Sequence, residues 1–213
     1  MKRLLIASLL FGSAWPLAQA ADEILFIRGG AGTVGFFEGG SDEQAASITN
    51  FLTSGGNHGW GELAAALRAE GFEPTELSED PVMSLVPTPV PLDTMDLSRY
   101  AIIVFGSNNA EYTTAQVDAL VAYVSNGGAA LFISDANFGQ NWGDAPSSDQ
   151  HFLDRFGLTM NQDRGTYTID RGQEFVVPAH PIFNGVDTFD GEGVSPITVS
   201  ATVAGVTSTI LSK

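Results

Sequence analysis

The sequence predicts an α/β fold in which helices cover a mostly parallel sheet and a β-rich part follows towards the C-terminus. Up to Gly157, short apolar runs alternate with stretches of helical period, a pattern typical of parallel strands joined by helical crossovers. Beyond Gly157 no helical period returns, and short β-like runs take over. The chain has 213 residues, of which 44% are hydrophobic, so it is long and apolar enough to bury a core.

Residues 1–20 have the features of a secretory signal peptide. Lys2 and Arg3 precede the apolar run 4–11, and residues 18–20 match the A-x-A cleavage pattern. The apolar run is too short to be a membrane anchor, and no later segment has the roughly 18 apolar residues that a span needs. We therefore expect an exported bacterial protein, periplasmic or extracellular, with one mature domain over residues 21–213.

The first strand–helix–strand unit is predicted between residues 23 and 77. The apolar run 23–28 and the run 72–77 are the predicted strands. A helix is predicted at 60–70, with Gly71 as its C-terminal stop. Three of its residues fall on one face: Leu63, Ala66 and Leu67.

The second unit follows the same alternation. The runs 100–105 and 129–133 are continuous apolar segments of strand length, typical of buried strands. Between them, Thr113 and Gln116 match a capping box, which satisfies the first free amides of a helix. That helix is predicted to end at the Asn-Gly-Gly of residues 126–128.

The last helix and the C-terminal strands are predicted from weaker patterns. Ser147 and Gln150 suggest a second capping box, followed by a short helix that Gly157 stops. Three β-like runs come after it: 166–169, 174–177 and 197–203.

The composition excludes several classes of site. The chain has no cysteine, which excludes disulfides, thiolate metal sites and a cysteine nucleophile. Its 25 acidic and 9 basic residues give a net charge of −16, which argues against a nucleic-acid partner. The only lysines are Lys2 and Lys213, so a lysine-based phosphate or Schiff-base site is not expected.

Small polar residues follow three of the predicted strands. In an open parallel sheet, ligands bind beyond the carboxyl ends of the strands, so this convergence predicts a ligand site. The residues concerned are Gly29 and Gly30 after the first strand, Ser107 and Asn108 after the run 100–105, and Ser134, Asp135 and Asn137 after the run 129–133.

Two tryptophans and a long loop extend this prediction. Trp60 and Trp142, next to polar residues such as Asn57, could stack on a sugar ring, although they could equally cover small apolar clusters of their own loops. The glycine-rich run 29–59 is long for a loop, and loops of that length are often functional.

Catalysis is a second interpretation of the same residues. His58 and His180 each lie in a string of Gly, Pro or Asn residues, and either could act as a general base. Asp135 or Ser134 would then be its partner or the nucleophile. His151 falls in the predicted last helix, where it is expected to be a surface or packing residue.

Known motifs fit the chain poorly. Residues 30–35 match G-x-G-x-x-G, but a Gly-Gly pair follows where a dinucleotide-binding helix would begin. The G-x-S-x-G serine motif is absent. The loop from Asp135 begins like a calcium loop, but its sixth residue is Gln140 and its twelfth is Pro146. No metal or cofactor is predicted, and a looser calcium site stays open as an alternative.

Three strings resemble the class I glutamine amidotransferase-like superfamily, closest to its ThuA-like branch and related exported domains. They are YAIIVFGS from Tyr100, the segment 112–135 with its Asn-Gly-Gly helix end, and HPIFNGV from His180. The resemblance covers most of residues 23–189. It implies a flavodoxin-like three-layer sandwich with its site at the strand ends.

The chain departs from that family in two ways. The family places a catalytic cysteine at the elbow after the fourth strand, where this chain has Ser134 and Asp135. The resemblance therefore implies a domain without glutaminase activity. The family sheet also usually gains a further strand and helix after the HPI string, whereas residues 198–211 are β-like, so we expect a truncated chain.

Three functional hypotheses remain open from the sequence. The first is an exported domain that binds a small polar ligand, such as a carbohydrate, at the strand ends. The second is a divergent hydrolase that uses Asp135 or Ser134 with His58 or His180. The third is a protein-interaction domain whose contact surface is the loop 29–59. No nucleic-acid partner and no membrane span are expected, and the oligomeric state is open.

Overall fold

The computed structural model describes residues 23–28, 61–79, 88–106, 110–133, 144–160, 165–194 and 197–212. Its helices are α1 (Gly61–Ala69), α2 (Thr114–Ser125) and α3 (Asp144–Leu153). Its strands are β1 (Glu23–Arg28), β2 (Glu73–Ser78), β3 (Tyr100–Gly106), β4 (Ala129–Ile133), β5 (Leu158–Met160), β6 (Gly165–Asp170), β7 (Thr188–Val194) and β8 (Ile197–Val199). Single 3-10 turns lie at Leu97–Arg99, Asp154–Phe156 and Pro181–Phe183.

Four parallel strands form the main sheet, in the order β2-β1-β3-β4. Their carboxyl ends are level: Arg28 is paired with Ser78 and with Gly106, and Gly106 is paired with Ile133. The predicted α/β class is confirmed, with helices on both faces of a parallel sheet and antiparallel strand pairs after it. This arrangement is consistent with a flavodoxin-like fold.

Helix α1 covers one face of the sheet. Ala64 is fully buried against Phe26 and Val104, and Leu67 packs at the edge of this cluster. The helix ends as predicted at Gly71, whose φ of +94° suits glycine, while Phe72 N donates to Leu67 O at 3.0 Å.

The three residues predicted to share one face of α1, which are Leu63, Ala66 and Leu67, do not all face the sheet. Leu63 is 46% exposed, and the inner position is taken by Ala64. Residues 63–67 are all alanine or leucine, so the sequence offers little contrast between the two faces of this helix.

Helices α2 and α3 cover the other face over an aromatic core. The Phe105 ring on β3 stacks on Phe132 of β4 at 4.6 Å between centroids, and Phe152 of α3 lies 5.2 Å from Phe105. Tyr112, just before α2, packs edge-on against Phe152 at 4.9 Å. These rings fix α3 over the end of the sheet.

Helix α2 begins at the predicted capping box. Gln116 N donates to the Thr113 hydroxyl, and Thr113 N donates back to the Gln116 side-chain oxygen at 2.8 Å. The second predicted capping box was wrong, because α3 begins at Asp144, before Ser147. Gln150 instead accepts from Met160 N at 2.9 Å and donates to Leu158 O, so it holds β5 against the helix.

The C-terminal part consists of two antiparallel pairs, β5 with β8 and β6 with β7. The predicted strand at 174–177 was wrong, since that segment forms only a single bridge, between Phe175 and Ser212. The predicted strand at 197–203 ends at Val199, because Ser200 N and Ala201 N both donate to Gly157 O. Among the described residues, no helix is long and apolar enough to cross a membrane.

Candidate functional site at the carboxyl end of the sheet

The predicted site residues fall almost entirely outside the described ranges. This applies to Gly29, Gly30, Asn57, His58, Trp60, Ser107, Asn108, Ser134, Asp135, Asn137 and Trp142. The described ends of the strands that precede many of these residues are level with one another. Their roles stay predictions, and the described residues of this edge carry the following account.

Glu79 lies directly after β2 and is fully buried. Its Oε2 accepts a hydrogen bond of 3.0 Å from Ala110 N, in the segment that follows β3. This hydrogen bond links the segments that follow β2 and β3, the two strands that flank β1. A buried carboxylate therefore lies in the segments after the carboxyl ends of the strands, the side on which open α/β sheets bind ligands.

Tyr112 is the second buried polar residue of this edge. Only 1% of it is exposed, and its ring is held by Phe105 and Phe152. The hydrogen-bonding groups at its hydroxyl are the Glu79 carboxylate and the Val90 backbone. Burial first, and then the charge of Glu79, raise the pKa of this phenol well above its usual value, so it keeps its proton.

Asp149 brings a second carboxylate towards the same phenol. It lies on α3, one turn before Phe152, so both residues occupy the face that packs on the sheet. Asp149 is 2% exposed, and its charge also contributes to the raised pKa of Tyr112. We call Glu79, Tyr112 and Asp149 the buried polar cluster.

The buried polar cluster offers specific chemistry. A neutral phenol can both donate and accept a hydrogen bond, and carboxylate oxygens are strong acceptors. Because all three groups are almost completely buried, their low-dielectric surroundings disfavour a further negative charge beside them. None of these three residues was predicted from the sequence as a site residue.

Weak signals for the cluster were present in the sequence. Glu79 lies two residues after a predicted strand, and Asp149 precedes Phe152 by three residues within a predicted helix. Neither pattern separates a buried carboxylate from an exposed one, because that difference is decided by contacts distant in sequence.

The described histidines lie away from these features. His180 is exposed in the C-terminal part, where its Nδ1 accepts from Ile182 N at 3.3 Å and caps a 3-10 turn. No hydrogen bond among the described residues links His180 to the buried polar cluster. His151 is exposed on α3, as expected of a surface residue.

The described residues hold no group of three or more His, Cys, Asp or Glu side chains that could bind a metal ion. The calcium alternative concerned the loop from Asp135, which lies outside the described part of the chain.

No family model and no curated protein matches the chain. Among solved structures, the mmIFT52 N-terminal domain is similar, with a TM-score of 0.52 and 14% identity over 83% of this chain and 72% of that one. A ThuA-like protein from Bacteroides uniformis matches with a TM-score of 0.39 and 16% identity, over 86% of this chain and 64% of that one. The first likeness supports the fold, and neither assigns an activity.

Proposed function

We propose that the chain is an exported, amidotransferase-like α/β domain that binds a small polar ligand, such as a carbohydrate, at the carboxyl ends of β1 and β3. The proposal rests chiefly on Glu79, a fully buried carboxylate that links the segments after β2 and β3, the two strands that flank β1. A carboxylate is costly to bury, and such groups concentrate where a protein recognises or transforms a ligand.

The strand order supports the same location. From β1 the chain crosses to β2 on one side, and it later continues to β3 on the other side. The two crossovers therefore leave a crevice between β1 and β3, the position at which flavodoxin-like sheets bind their ligands. The candidate residues Gly29, Gly30, Ser107 and Asn108 directly follow these two strands in sequence.

Binding without glutamine hydrolysis follows from the composition. The family reaction needs a cysteine thiolate, and the chain contains no cysteine. The hydrolase alternative needs a general base near the strand ends. His180, the one described candidate, is exposed, and its Nδ1 is already engaged with Ile182 N. We therefore prefer ligand binding to hydrolysis.

Amide chemical shifts of the ¹⁵N-labelled chain test this proposal. A panel of sugars, polyols and amino acids is titrated, and one class is expected to shift the amide signals of Gly106 and Ala110. The amides of Glu73 and Ala129, at the opposite edge of the sheet, are the internal control. The proposal is wrong if no compound shifts any signal, or if the shifts are confined to that opposite edge.

A further inference from the structure

The sequence contains two Asn-Gly pairs, Asn126-Gly127 and Asn184-Gly185. Such pairs are chemically labile, because glycine has no side chain to hinder its backbone nitrogen from attacking the side-chain amide carbon of the preceding asparagine. Both pairs lie in described turns, and all four residues are exposed. The hydrogen bonds around the two pairs differ, and this difference decides where the attack can occur.

The pair Asn184-Gly185 forms the centre of a type II β-turn. Asn184 has a φ of −68° and a ψ of 114°, Gly185 has a φ of +81°, and Val186 N donates to Phe183 O at 3.1 Å. Within the described ranges, neither Gly185 N nor Asn184 O takes part in a hydrogen bond. The central peptide unit of this turn can therefore rotate without breaking a hydrogen bond.

Arg171 holds the two ends of the same turn. Its guanidinium donates to Phe183 O and to Val186 O, the carbonyls of the first and last residues of the turn. The ends therefore stay in place while the central peptide unit rotates. The rotation that brings Gly185 N towards the Asn184 side chain thus requires no unfolding of the chain around it.

The pair Asn126-Gly127 lies in a turn that is bonded throughout. Gly127 N, the attacking atom, donates to Val124 O at 3.0 Å, and Gly128 N donates to Tyr123 O at 3.1 Å. These bonds satisfy the last carbonyls of α2. Rotation of the Asn126-Gly127 peptide unit would break the first bond and displace the start of β4, so attack requires local unfolding.

We propose that Asn184 is a site of spontaneous deamidation in the folded chain and that the end of α2 protects Asn126. A bond forms between Gly185 N and Cγ of Asn184 as the Cγ–Nδ2 bond breaks, and ammonia leaves with the proton of Gly185 N. Water then opens the cyclic imide, either at Cγ to give aspartate or at the backbone carbonyl to give isoaspartate. Either product adds one negative charge, and isoaspartate also lengthens the backbone of the turn by one carbon atom.

Mass spectrometry of proteolytic fragments tests this inference after incubation of the folded chain in mildly alkaline buffer. Conversion of amide to acid is expected at least about tenfold faster at Asn184 than at Asn126, because the second site must first break hydrogen bonds. In concentrated urea both sites should react at similar rates. Equal rates in the folded chain would overturn the inference. A tenfold difference that persists in urea would also overturn it, since the sequence and not the fold would then be the cause.

Two matched variants identify the source of the added charge. Glutamine keeps the amide but reacts more slowly, because its cyclic imide would have six atoms in the ring. In Asn184→Gln, the acidic form that anion-exchange chromatography separates during incubation should largely disappear. In Asn126→Gln, it should accumulate as in the unmodified chain. An acidic form that accumulates undiminished in Asn184→Gln would contradict the assignment.

Discussion

Gly128 shows how closely single residues determine the packing below α2. A Cβ added at this position would lie 2.2 Å from the Tyr123 ring. The ring cannot easily move away, because its hydroxyl is bonded to the backbone of both β3 and β4. The absence of a side chain at Gly128 thus leaves room for the Tyr123 ring between the end of α2 and the start of β4.

Gly128→Ala is therefore expected to destabilise the chain by about 2–3 kcal/mol through overpacking. Chemical denaturation measures the change in the free energy of unfolding. Gly172→Ala is the control, since no atom lies within 4 Å of its added Cβ. A loss below about 0.5 kcal/mol, the range of ordinary surface substitutions, would show that the Tyr123 ring can shift freely.

Tyr112 makes stability depend on alkaline pH. The pKa of its phenol in the folded chain is raised by burial and by Glu79, whereas in the unfolded chain it titrates near the ordinary tyrosine value of about 10. The stability that the buried, protonated phenol contributes is thus fully present below pH 10. It is lost as the pH rises further, because only the unfolded state releases the proton readily. The expected slope is about 1.4 kcal/mol per pH unit from this group.

Denaturation curves between pH 9 and pH 11 measure this slope. Tyr112→Phe should lose less stability over that interval than the unmodified chain, since phenylalanine has no proton to release. Equal slopes in the two proteins would show that Tyr112 ionises as readily in the folded state as in the unfolded one.

Single residues also show which interactions could be predicted from the sequence. The capping box of Thr113 and Gln116 was predicted correctly because its partners are three residues apart. The burial of Glu79 could not be predicted in that way, since its partner Ala110 is 31 residues distant. Local hydrogen bonds leave a local pattern, and buried polar groups at a site depend on the whole fold.

Arg171 organises the turn between β6 and β7. Its guanidinium donates to Pro178 O at 2.7 Å and also to Phe183 O and Val186 O. It also pairs with Asp187 and lies over the Phe175 ring. One side chain therefore satisfies three backbone carbonyls of an irregular segment.

Arg171→Lys is expected to open this turn, because an ammonium group lacks the planar fork that reaches several carbonyls. Amide hydrogen exchange at Phe183 and Val186 should accelerate about tenfold or more, in line with the loss of charged hydrogen bonds. Arg68→Lys, in an exposed pair with Glu73, should leave exchange in α1 almost unchanged. Unaltered protection at Phe183 would show that the turn holds without the guanidinium.

Among the helices and strands, those with a strong apolar pattern in the sequence were predicted correctly. Strands β1, β3 and β4 have continuous apolar residues and α2 has periodic ones, and each was predicted to within about two residues. The segment 174–177 was wrongly predicted as a strand. Its residues are β-like, but Gln173 N and Glu174 N both donate to Asp170 O and turn the chain there. A turn stabilised by Arg171 overrides that local preference.

At the scale of the whole molecule, the alternation of apolar runs with stretches of helical period predicted a parallel sheet. It did not predict the pairing of the C-terminal strands. β5 pairs with β8 across a separation of nearly forty residues, and neither strand has more than three residues. Such short strands have weak periodicity, so their partners are set by the docking of the tail on Gly157.

The charge of the whole chain decides how salt acts on its stability. The chain has 25 acidic and 9 basic residues, and ion pairs of its described part such as Arg68–Glu73 and Arg155–Asp118 are largely exposed. Salt weakens such exposed pairs, each of which contributes at most about 1 kcal/mol. It also screens the repulsion among the 16 uncompensated negative charges, which opposes the compact state. We expect the second effect to dominate.

Raising sodium chloride from about 0.01 M to 0.15 M shortens the Debye length from about 30 Å to about 8 Å. At pH 7 the melting temperature should rise by about 2–4 °C, the shift expected for roughly 1 kcal/mol in a chain of this size. Near pH 4.2, the isoelectric point, the net repulsion vanishes, so the same addition of salt should give no rise. A melting temperature that falls with salt at pH 7 would mean that the ion pairs outweigh the repulsion, and that the acidic surface does not strain the fold.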